Sequence, residues 1–220
     1  MTRRRVGGVR LAVAFAGALW ALAPVAYSAS ATRQPPQLPA QRNDLPAKLS
    51  DKEFWRLIDT FSEANGYFQS DNLVSNEDTF QYVIPELQRI IPPGGAYLGV
   101  GPDQNFTYLV ALRPRIAFIT DIRRGNLQEH LMYKALIELS SDRADFLSRL
   151  FSRKRPSGLA SAATAPELFE AFLNVATSTA LRDENLKAML DQLGKQRGSS
   201  ISDDDAAGMR TAVHEMTHVT

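Results

Sequence analysis

The fold of this chain is decided by residues 94–122, which read GGAYLGVGPDQNFTYLVALRPRIAFITDI. Two apolar runs in this stretch, 96–100 and 116–120, have the length and composition of buried β-strands. Residues 104–112 between them favour a helix, and a longer helix with inward-facing leucines is predicted at 126–139. The order strand, helix, strand, helix is typical of parallel strands joined by a right-handed crossover.

Helices are predicted on both sides of this unit. Ser50 and Glu53 form a capping box, which opens a helix whose apolar residues recur every three or four positions. A second start at Ser75 precedes an apolar stripe that ends at Ile91, and Pro85 should kink or restart this helix. The second half of the chain shows no strand pattern and favours helices near 142–151, 166–180, 183–196 and 203–218. We therefore expect a Rossmann-like α/β fold, with a small, mostly parallel sheet and flanking helices, N-terminal helices and a helical C-terminal extension.

The N-terminus has the layout of a secretory signal peptide. Residues 1–10 are basic, residues 11–26 are apolar, and Ala29, Ser30 and Ala31 supply the small residues that a signal peptidase recognises. The apolar run is shorter than the roughly 20 residues that span a bilayer. We expect a periplasmic or secreted protein, and the alternative is an uncleaved N-terminal membrane anchor.

Four segments follow from these patterns. They are a signal peptide at 1–31, a proline-rich linker at 32–48, a Rossmann-like α/β domain at 49–155 and a helical extension at 156–220. The abrupt end after His218 suggests that the extension is a shortened form of a longer one.

Composition excludes several classes of site. The chain contains no cysteine, so disulfides, thiolate zinc sites, cysteine nucleophiles and iron–sulfur clusters are excluded. Four of its 25 basic residues lie in the first 31 positions, and without them 21 basic residues face 24 acidic ones. This balance gives no electrostatic basis for binding nucleic acid. We expect a small-molecule ligand and, after cleavage of the signal, no stable membrane span.

Candidate ligand residues collect where the two predicted strands end, which is where open α/β sheets bind ligands. Gly99, Gly101, Asp103 and Asn105 lie at the end of the first strand, and Asp121 ends the second. Glycines let a ligand approach the backbone, and the N–H groups of the next helix point to the same place. A carboxylate after the second strand can accept hydrogen bonds from both ribose hydroxyls. The alternative is that the glycines only form a tight turn and that the carboxylate caps the next loop.

Residues 94–122 resemble the first two motifs of class I S-adenosylmethionine-dependent methyltransferases. In that family a glycine-rich loop after the first strand holds the methionine part of the cofactor, and an acidic residue after the second strand holds the ribose. The resemblance implies that Gly99 and Gly101 match the loop glycines, that Asp121 matches the ribose acid, and that S-adenosylmethionine is the cofactor. Residues 76–140 are also similar to an uncharacterised family of bacterial proteins with that kind of core.

The chain departs from the usual methyltransferase loop at two positions. Leu98 stands where an acidic residue enters the loop, and Gln104 stands near the place of a third glycine. The later strands that complete the sheet in that family are not visible in the sequence. No catalytic residue is assigned.

Polar residues continue past the second strand. Arg123 and Arg124, with Asn126 and His130 beyond them, could pair with an anionic substrate. His130 also shares a helix side with Tyr133 and Lys134, and we expect that side to be solvated.

Residues 214–218, HEMTH, match the zincin motif, in which two histidines bind zinc and the glutamate acts as general base. No third ligand follows them. The apolar stripe of this predicted helix, formed by Met209, Val213 and Met216, lies on the other side, so both histidines should face solvent. We assign no metal site and expect adventitious binding of Ni²⁺ or Zn²⁺ at most.

Three functions remain open. The leading one is an exported methyltransferase-like domain that binds a nucleoside-type ligand. The second is a non-catalytic exported binding module that kept the fold, since S-adenosylmethionine is made and used in the cytoplasm. The third is a zinc-dependent hydrolase that uses residues 214–218.

Overall fold

The computed structural model describes residue 46 and residues 48–69, 73–196, 198 and 201–218. The predicted signal peptide lies outside the described residues, as does the predicted linker apart from Pro46 and Lys48. The described part is a mixed α/β structure in which helices flank a small parallel sheet. Among these residues, none of the helices combines the length and the hydropathy that a bilayer span requires.

Two helical segments precede the sheet. Helix α1 (Asp51–Phe61) begins at the predicted capping box, in which the Ser50 hydroxyl accepts from the Glu53 N–H and the Glu53 carboxylate accepts from the Ser50 N–H. A short 3₁₀ helix (Phe80–Val83) then leads into α2 (Ile84–Ile90). The predicted restart is confirmed, because a proline in the first turn of α2 leaves no N–H to continue the preceding hydrogen bonds.

The strand–helix–strand–helix unit is confirmed. Strands β1 (Ala96–Val100) and β2 (Ile116–Thr120) pair in parallel over all five of their residues. Helix α3 (Gln104–Leu112) connects them, and α4 (Arg124–Leu139) follows β2. Because parallel strands run in the same direction, their carboxyl ends and the start of α4 meet at one edge of the sheet.

The expectation that both strands are buried is wrong. Leu98 is 79% exposed and Val100 is 70% exposed, and Gly99 is the buried residue of β1. The prediction assumed a parallel sheet that is covered on both faces, as is usual. Within the described residues the sheet has two strands, and the side chains of Leu98 and Val100 face solvent.

The second half of the described chain is helical, as predicted. Its helices are α5 (Arg143–Leu150), α6 (Ala165–Phe172), α7 (Thr179–Asp191), which ends in a π-helical turn, and α8 (Asp203–His218). In this half, as far as it is described, the β-structure is a single isolated bridge between Arg153 and Thr177.

The hydrophobic core surrounds α4. Met132 and Leu136 of α4 are fully buried against Met189, Leu193 and Met209, which come from α7, its π-helical turn and α8. The core therefore draws residues from both 49–155 and 156–220. The packing holds α4 in place at the edge where the strands end.

An ion pair joins α8 to the start of α4. The Arg124 guanidinium donates to the two carboxylate oxygens of Asp205 at 2.7 and 2.8 Å, and Gln128 Nε2 donates to Oδ1 at 3.1 Å. Gly208 is required nearby, because a β-carbon there would overlap the Gln128 side chain. The Arg124 bond is the largest cause that lowers the pKa of Asp205 to about 2, and bonds from Gln128 and Ser202 add to it.

We predict that Asp205→Asn lowers the free energy of unfolding by about 2 kcal/mol at neutral pH, the equivalent of its pKa shift. Because the folded protein holds this pKa below its usual value, the stability is present above about pH 4 and is lost as the pH falls toward 2. Urea unfolding at neutral pH and at about pH 2.5 measures both effects. Asp204→Asn, an exposed neighbour in the same turn, is the control and should change stability by less than about 0.5 kcal/mol. Equal losses in the two variants would contradict the assignment.

Candidate functional site

The loop after β1 turns at Gly101, where φ is +85°, a conformation that favours glycine. The Gly101 N–H donates to the Thr120 carbonyl at 3.1 Å, which holds the loop against the end of β2. A β-carbon on Gly101 would meet one described atom within 4 Å, Oδ2 of Asp121 at 3.8 Å. Gly101 is itself buried, and the structure brings it and Asp121 together.

Asn105 fixes the shape of this loop through hydrogen bonds to its carbonyl groups. Its buried side-chain amide donates to the carbonyl oxygens of Val100, Gly101 and Pro102 at 3.1, 3.1 and 2.8 Å, and its Oδ1 accepts from the Tyr97 hydroxyl at 2.7 Å. The two N–H groups of Asn105 are thus shared among three carbonyl oxygens, and the side chain is occupied within the protein. Its role is to shape the loop, and the predicted direct contact with a ligand is not supported by this geometry.

Gly99 makes room for the Asn105 side chain. A β-carbon at Gly99 would overlap the side chains of Asn105 and Tyr97. The space that the sequence analysis reserved for a ligand at Gly99 is therefore filled by Asn105. Of the two loop glycines, only Gly101 has a β-carbon position that overlaps no described atom.

Asp103 also has a partner within the protein. Its Oδ1 accepts from the Ser75 N–H at 2.9 Å, and Gln104 Oε1 accepts from the Ser75 hydroxyl at 2.5 Å. Ser75 thus links the segment before the 3₁₀ helix to the start of α3. The predicted helix start at Ser75 is wrong, because these bonds take the place of an N-cap.

Asp121 forms a local turn. Its Oδ1 accepts from the Arg123 N–H at 2.7 Å, and Arg123 Nη1 lies 3.8 Å from the same oxygen. The Arg123 guanidinium also lies over the ring of Phe68, 5.6 Å from its centroid. Since Arg124 pairs with Asp205, both arginines that the sequence offered for an anionic substrate have partners within the protein.

Polar groups without partners collect on the face of α4 that adjoins the loop. Asn126 is 1% exposed and Glu129 is 0% exposed. No described group forms a hydrogen bond with the Asn126 amide, with either Glu129 carboxylate oxygen or with Nδ1 of His130. We call Asn126, Glu129, His130 and Tyr133 the α4 polar cluster. Unpartnered polar atoms are rare in protein interiors and are concentrated where function requires them.

Direct contacts place the α4 polar cluster beside the loop. His130 Nε2 lies 3.0 Å from the Gly101 carbonyl oxygen. Phe106 of α3 packs edge-on against His130 and Tyr133, with ring centroids 5.6 and 5.4 Å apart. Through His130 the α4 polar cluster thus lies against the Gly101 loop, and the Asp121 carboxylate lies next to the same glycine.

Burial raises the pKa of Glu129 to about 8, and the nearby charge of Asp103 adds to this effect. The Tyr133 hydroxyl approaches Glu129 as a hydrogen-bond donor and lowers this pKa, but its effect is smaller than that of burial. The same hydroxyl lies 3.9 Å from Met216 Sδ. Burial also raises the pKa of Tyr133. Near neutral pH Glu129 is therefore mostly protonated and can donate a hydrogen bond.

The sequence pointed to Asn126, His130 and Tyr133 but not to Glu129, and the helix side that carries His130 and Tyr133 was expected to be solvated. That expectation is wrong for Tyr133, which is buried, and for His130, whose Nδ1 is buried. A signal was present, because positions 126, 129, 130 and 133 have the i, i+3, i+4, i+7 spacing of one helix face. Polar residues at this spacing usually form a solvated face, so the spacing alone did not reveal the site.

A separate cleft of about 360 Å³ lies beside the first residues of β2. Phe54, Arg115, Lys134 and Glu138 are among its lining residues. Lys134 donates to Glu138 at 2.6 Å, so these two charges compensate each other. The cleft is at the opposite end of the strand from the α4 polar cluster.

The histidines of the HEMTH motif face solvent, as predicted. His214 and His218 are exposed, and the apolar stripe of α8 is buried. Arg182 Nη1 lies 3.4 Å from His214 Nδ1, and its positive charge opposes the binding of a metal cation there. In the described part of the chain, no three His, Asp or Glu side chains are arranged to hold a metal ion.

The fold and the site define a mixed α/β protein whose polar side chains collect at the carboxyl ends of two parallel strands. Residues 72–181 match the model of a family described as a domain of unknown function, DUF7790, and the chain belongs to this family. The matched half of the chain contains both strands, the Gly101 loop and the α4 polar cluster. No curated protein matches the chain.

We predict that Gly99→Ala lowers the free energy of unfolding by about 2 kcal/mol or more, because the added methyl group displaces the buried Asn105 side chain from its bonds. Gly66→Ala is the matched control, since a β-carbon there would make ordinary contacts at 3.7 Å with the ring of Phe68. Thermal unfolding of both variants measures the difference. A Gly99→Ala variant as stable as Gly66→Ala would contradict the role assigned to Asn105.

We predict that His214→Ala changes the free energy of unfolding by less than about 0.5 kcal/mol, because the side chain is exposed. The same variant should weaken any binding of Zn²⁺ by the wild-type protein. Thermal unfolding and zinc titration test the two statements. A stoichiometric zinc ion that survives dialysis against a chelator, together with a peptidase activity lost in Glu215→Gln, would show that the motif is a working zinc site.

Proposed function

We propose that this chain is an exported, Rossmann-like domain that binds a nucleoside-type ligand at the carboxyl ends of β1 and β2. The observation that carries the proposal is the set of unpartnered buried groups in the α4 polar cluster, which adjoins the Gly101 carbonyl through His130. The resemblance to class I methyltransferases supports S-adenosylmethionine or S-adenosylhomocysteine as the first ligands to test.

The energetics favour a ligand in this region. A buried donor or acceptor without a partner costs about 1–3 kcal/mol. The Asn126 amide, the Glu129 carboxyl group and Nδ1 of His130 all lack partners among the described groups, so the free protein carries several such costs at one place. A ligand that supplies their hydrogen bonds recovers that free energy on binding.

The residues divide into two roles. Gly101 and Asp121 border the space for the ligand, and in this proposal the Asp121 carboxylate accepts from the ribose hydroxyls. Gly99, Asp103 and Asn105 act through the loop, because their side chains or the space beside them are occupied within the protein. The predicted site is thereby reduced to two direct contacts and extended by the α4 polar cluster.

We infer binding rather than methyl transfer as the function. Export follows from the signal-peptide layout of residues 1–31, and an exported methyltransferase would be separated from the cytoplasmic supply of its cosubstrate. The non-catalytic binding module is therefore our preferred interpretation. A zinc hydrolase is not favoured, because His214 and His218 face solvent next to a cation.

Isothermal titration of the protein with S-adenosylhomocysteine, S-adenosylmethionine and adenosine tests the proposal. We expect saturable binding by the wild-type protein. Asp121→Ala should weaken it at least tenfold, because charge-assisted bonds to two hydroxyls are lost, at about 1.5–3 kcal/mol each before desolvation. Absence of binding of all three ligands at millimolar concentration would contradict the proposal.

We further predict that Gly101→Ala abolishes binding at a modest cost in stability. The protein has room for the β-carbon, so the cost is the strain of a left-handed residue, about 1–2 kcal/mol. Gly158→Ala is a matched control, since Gly158 has φ +77°, is exposed and has no described atom within 4 Å of its β-carbon position. Thermal unfolding should show similar losses for both variants. Only Gly101→Ala should lose affinity in the titration, and equal affinities of the two variants would place the ligand elsewhere.

A further inference from the structure

The charges around the α4 polar cluster are unbalanced. Asp103 lies close enough to raise the pKa of Glu129 through its charge, and Asp121 lies on the other side of the Gly101 loop. The two arginines of this edge are held elsewhere, with Arg123 against Asp121 and Phe68 and Arg124 on Asp205. Asp103 is therefore the acidic group whose charge acts on the cluster, since Asp121 lies against Arg123, and no described cation is bound to the cluster.

His130 adds an acceptor to this region. A carbonyl oxygen can only accept, so the 3.0 Å contact with the Gly101 carbonyl requires that Nε2 of His130 carries the proton. The buried Nδ1 then presents a lone pair, and no described donor satisfies it. The Asn126 Oδ1 and the Glu129 oxygens are unsatisfied acceptors in the same region.

Aromatic rings form one wall of the cluster. Phe106 and Tyr133 pack edge-on, and the rings of His130 and Tyr133 lie 6.4 Å apart. The faces of such rings attract cations. Aromatic rings, unsatisfied acceptors and the negative charge of Asp103 are together complementary to a positively charged donor and unfavourable for a phosphate or a carboxylate.

We infer that the α4 polar cluster binds the cationic, donor-rich part of the ligand, such as a protonated amine, with Glu129 as its counter-ion. This inference rests on the proposed function, because it names the chemical class of ligand for the same site. Asn126 and Nδ1 of His130 accept the remaining N–H groups, and the nucleoside part lies toward Gly101 and Asp121.

Binding of a cation beside Glu129 should release a proton and make the affinity depend on pH. In the free protein the pKa of Glu129 is raised to about 8, so the carboxyl group is mostly protonated below that pH. A cation stabilises the carboxylate and lowers this pKa, so binding expels close to one proton at about pH 7. The affinity should therefore rise about tenfold per pH unit between about pH 6 and 7.5 and level off above about pH 8. Asp103, Asp121, His130 and Tyr133 are the other titratable groups near the cluster.

Adenosine and 5′-amino-5′-deoxyadenosine are a matched pair of probes, because they differ only in that a protonated amine replaces the 5′-hydroxyl group. Isothermal titration at about pH 7 in two buffers of different ionisation enthalpy measures both affinity and proton release. We expect the amine to bind at least about tenfold more tightly and to release close to one proton, whereas adenosine releases none.

Two variants identify Glu129 as the group responsible. Glu129→Gln keeps the shape and cannot ionise, so it should reduce the preference for the amine over adenosine at least about tenfold and abolish proton release. Asp103→Asn removes a charge that raises the pKa of Glu129, so the affinity should level off at a lower pH. Glu215→Gln, at an exposed position on α8, is the control and should behave like the wild-type protein.

The outcomes separate the two proposals. Binding of neither probe and of neither S-adenosyl compound would contradict the proposed function and this inference with it. Binding of adenosine with equal or greater affinity than the amine would leave the proposed function intact and overturn the inference. Preference for the amine without proton release, or with proton release retained in Glu129→Gln, would remove Glu129 from its assigned role.

Discussion

The clamp that Asn105 forms under the β1 loop is the interaction on which the site depends. One side-chain amide holds three successive carbonyl groups, and this fixes the direction of the Gly101 carbonyl. That carbonyl accepts from His130, so the clamp also sets where the α4 polar cluster meets the loop. The clamp forms only because Gly99 lacks a β-carbon, which would occupy the space of the Asn105 side chain. Gly99 thus makes room for an internal side chain and not for a ligand.

Helix α4 has an apolar face and a polar face, and both are buried in the fold. One face contributes Met132 and Leu136 to the core against α7 and α8. The other face buries Asn126 and Glu129 without hydrogen-bond partners among the described groups, which opposes folding by several kcal/mol. The bidentate Arg124–Asp205 pair holds the same end of the helix against α8. The apolar packing and the ion pair thus keep Asn126 and Glu129 buried, which would be unfavourable for these polar side chains alone.

The described sheet has only two strands, although the proposed ligand site lies at its edge. Two parallel strands expose Leu98 and Val100 on one face, whereas parallel sheets are usually covered on both. The end of the sheet is nevertheless well defined, because the Gly101 N–H bonds across to β2 and the Asp121 carboxylate bonds to the start of the next turn. The geometry at the strand ends is therefore set by these local bonds more than by the breadth of the sheet.

The sequence by itself determined the order of the elements. The capping box at Ser50, the restart at Pro85 and the apolar stripe of α8 depend on neighbours within a few positions, and each was predicted correctly. The exposure of His214 and His218 followed from the same periodicity.

Only the tertiary structure decided which residues the ends of the strands bring together. The bonds from Asn105 to the loop, from Ser75 to Asp103 and from Arg124 to Asp205 join positions whose pairing no local pattern specifies. The burial of Glu129 depends on the packing of α3 and the loop over α4, so its spacing on the helix could not distinguish a solvated face from a buried polar one. Helical periodicity is a property of neighbouring residues, whereas burial is a property of the elements that fold over them.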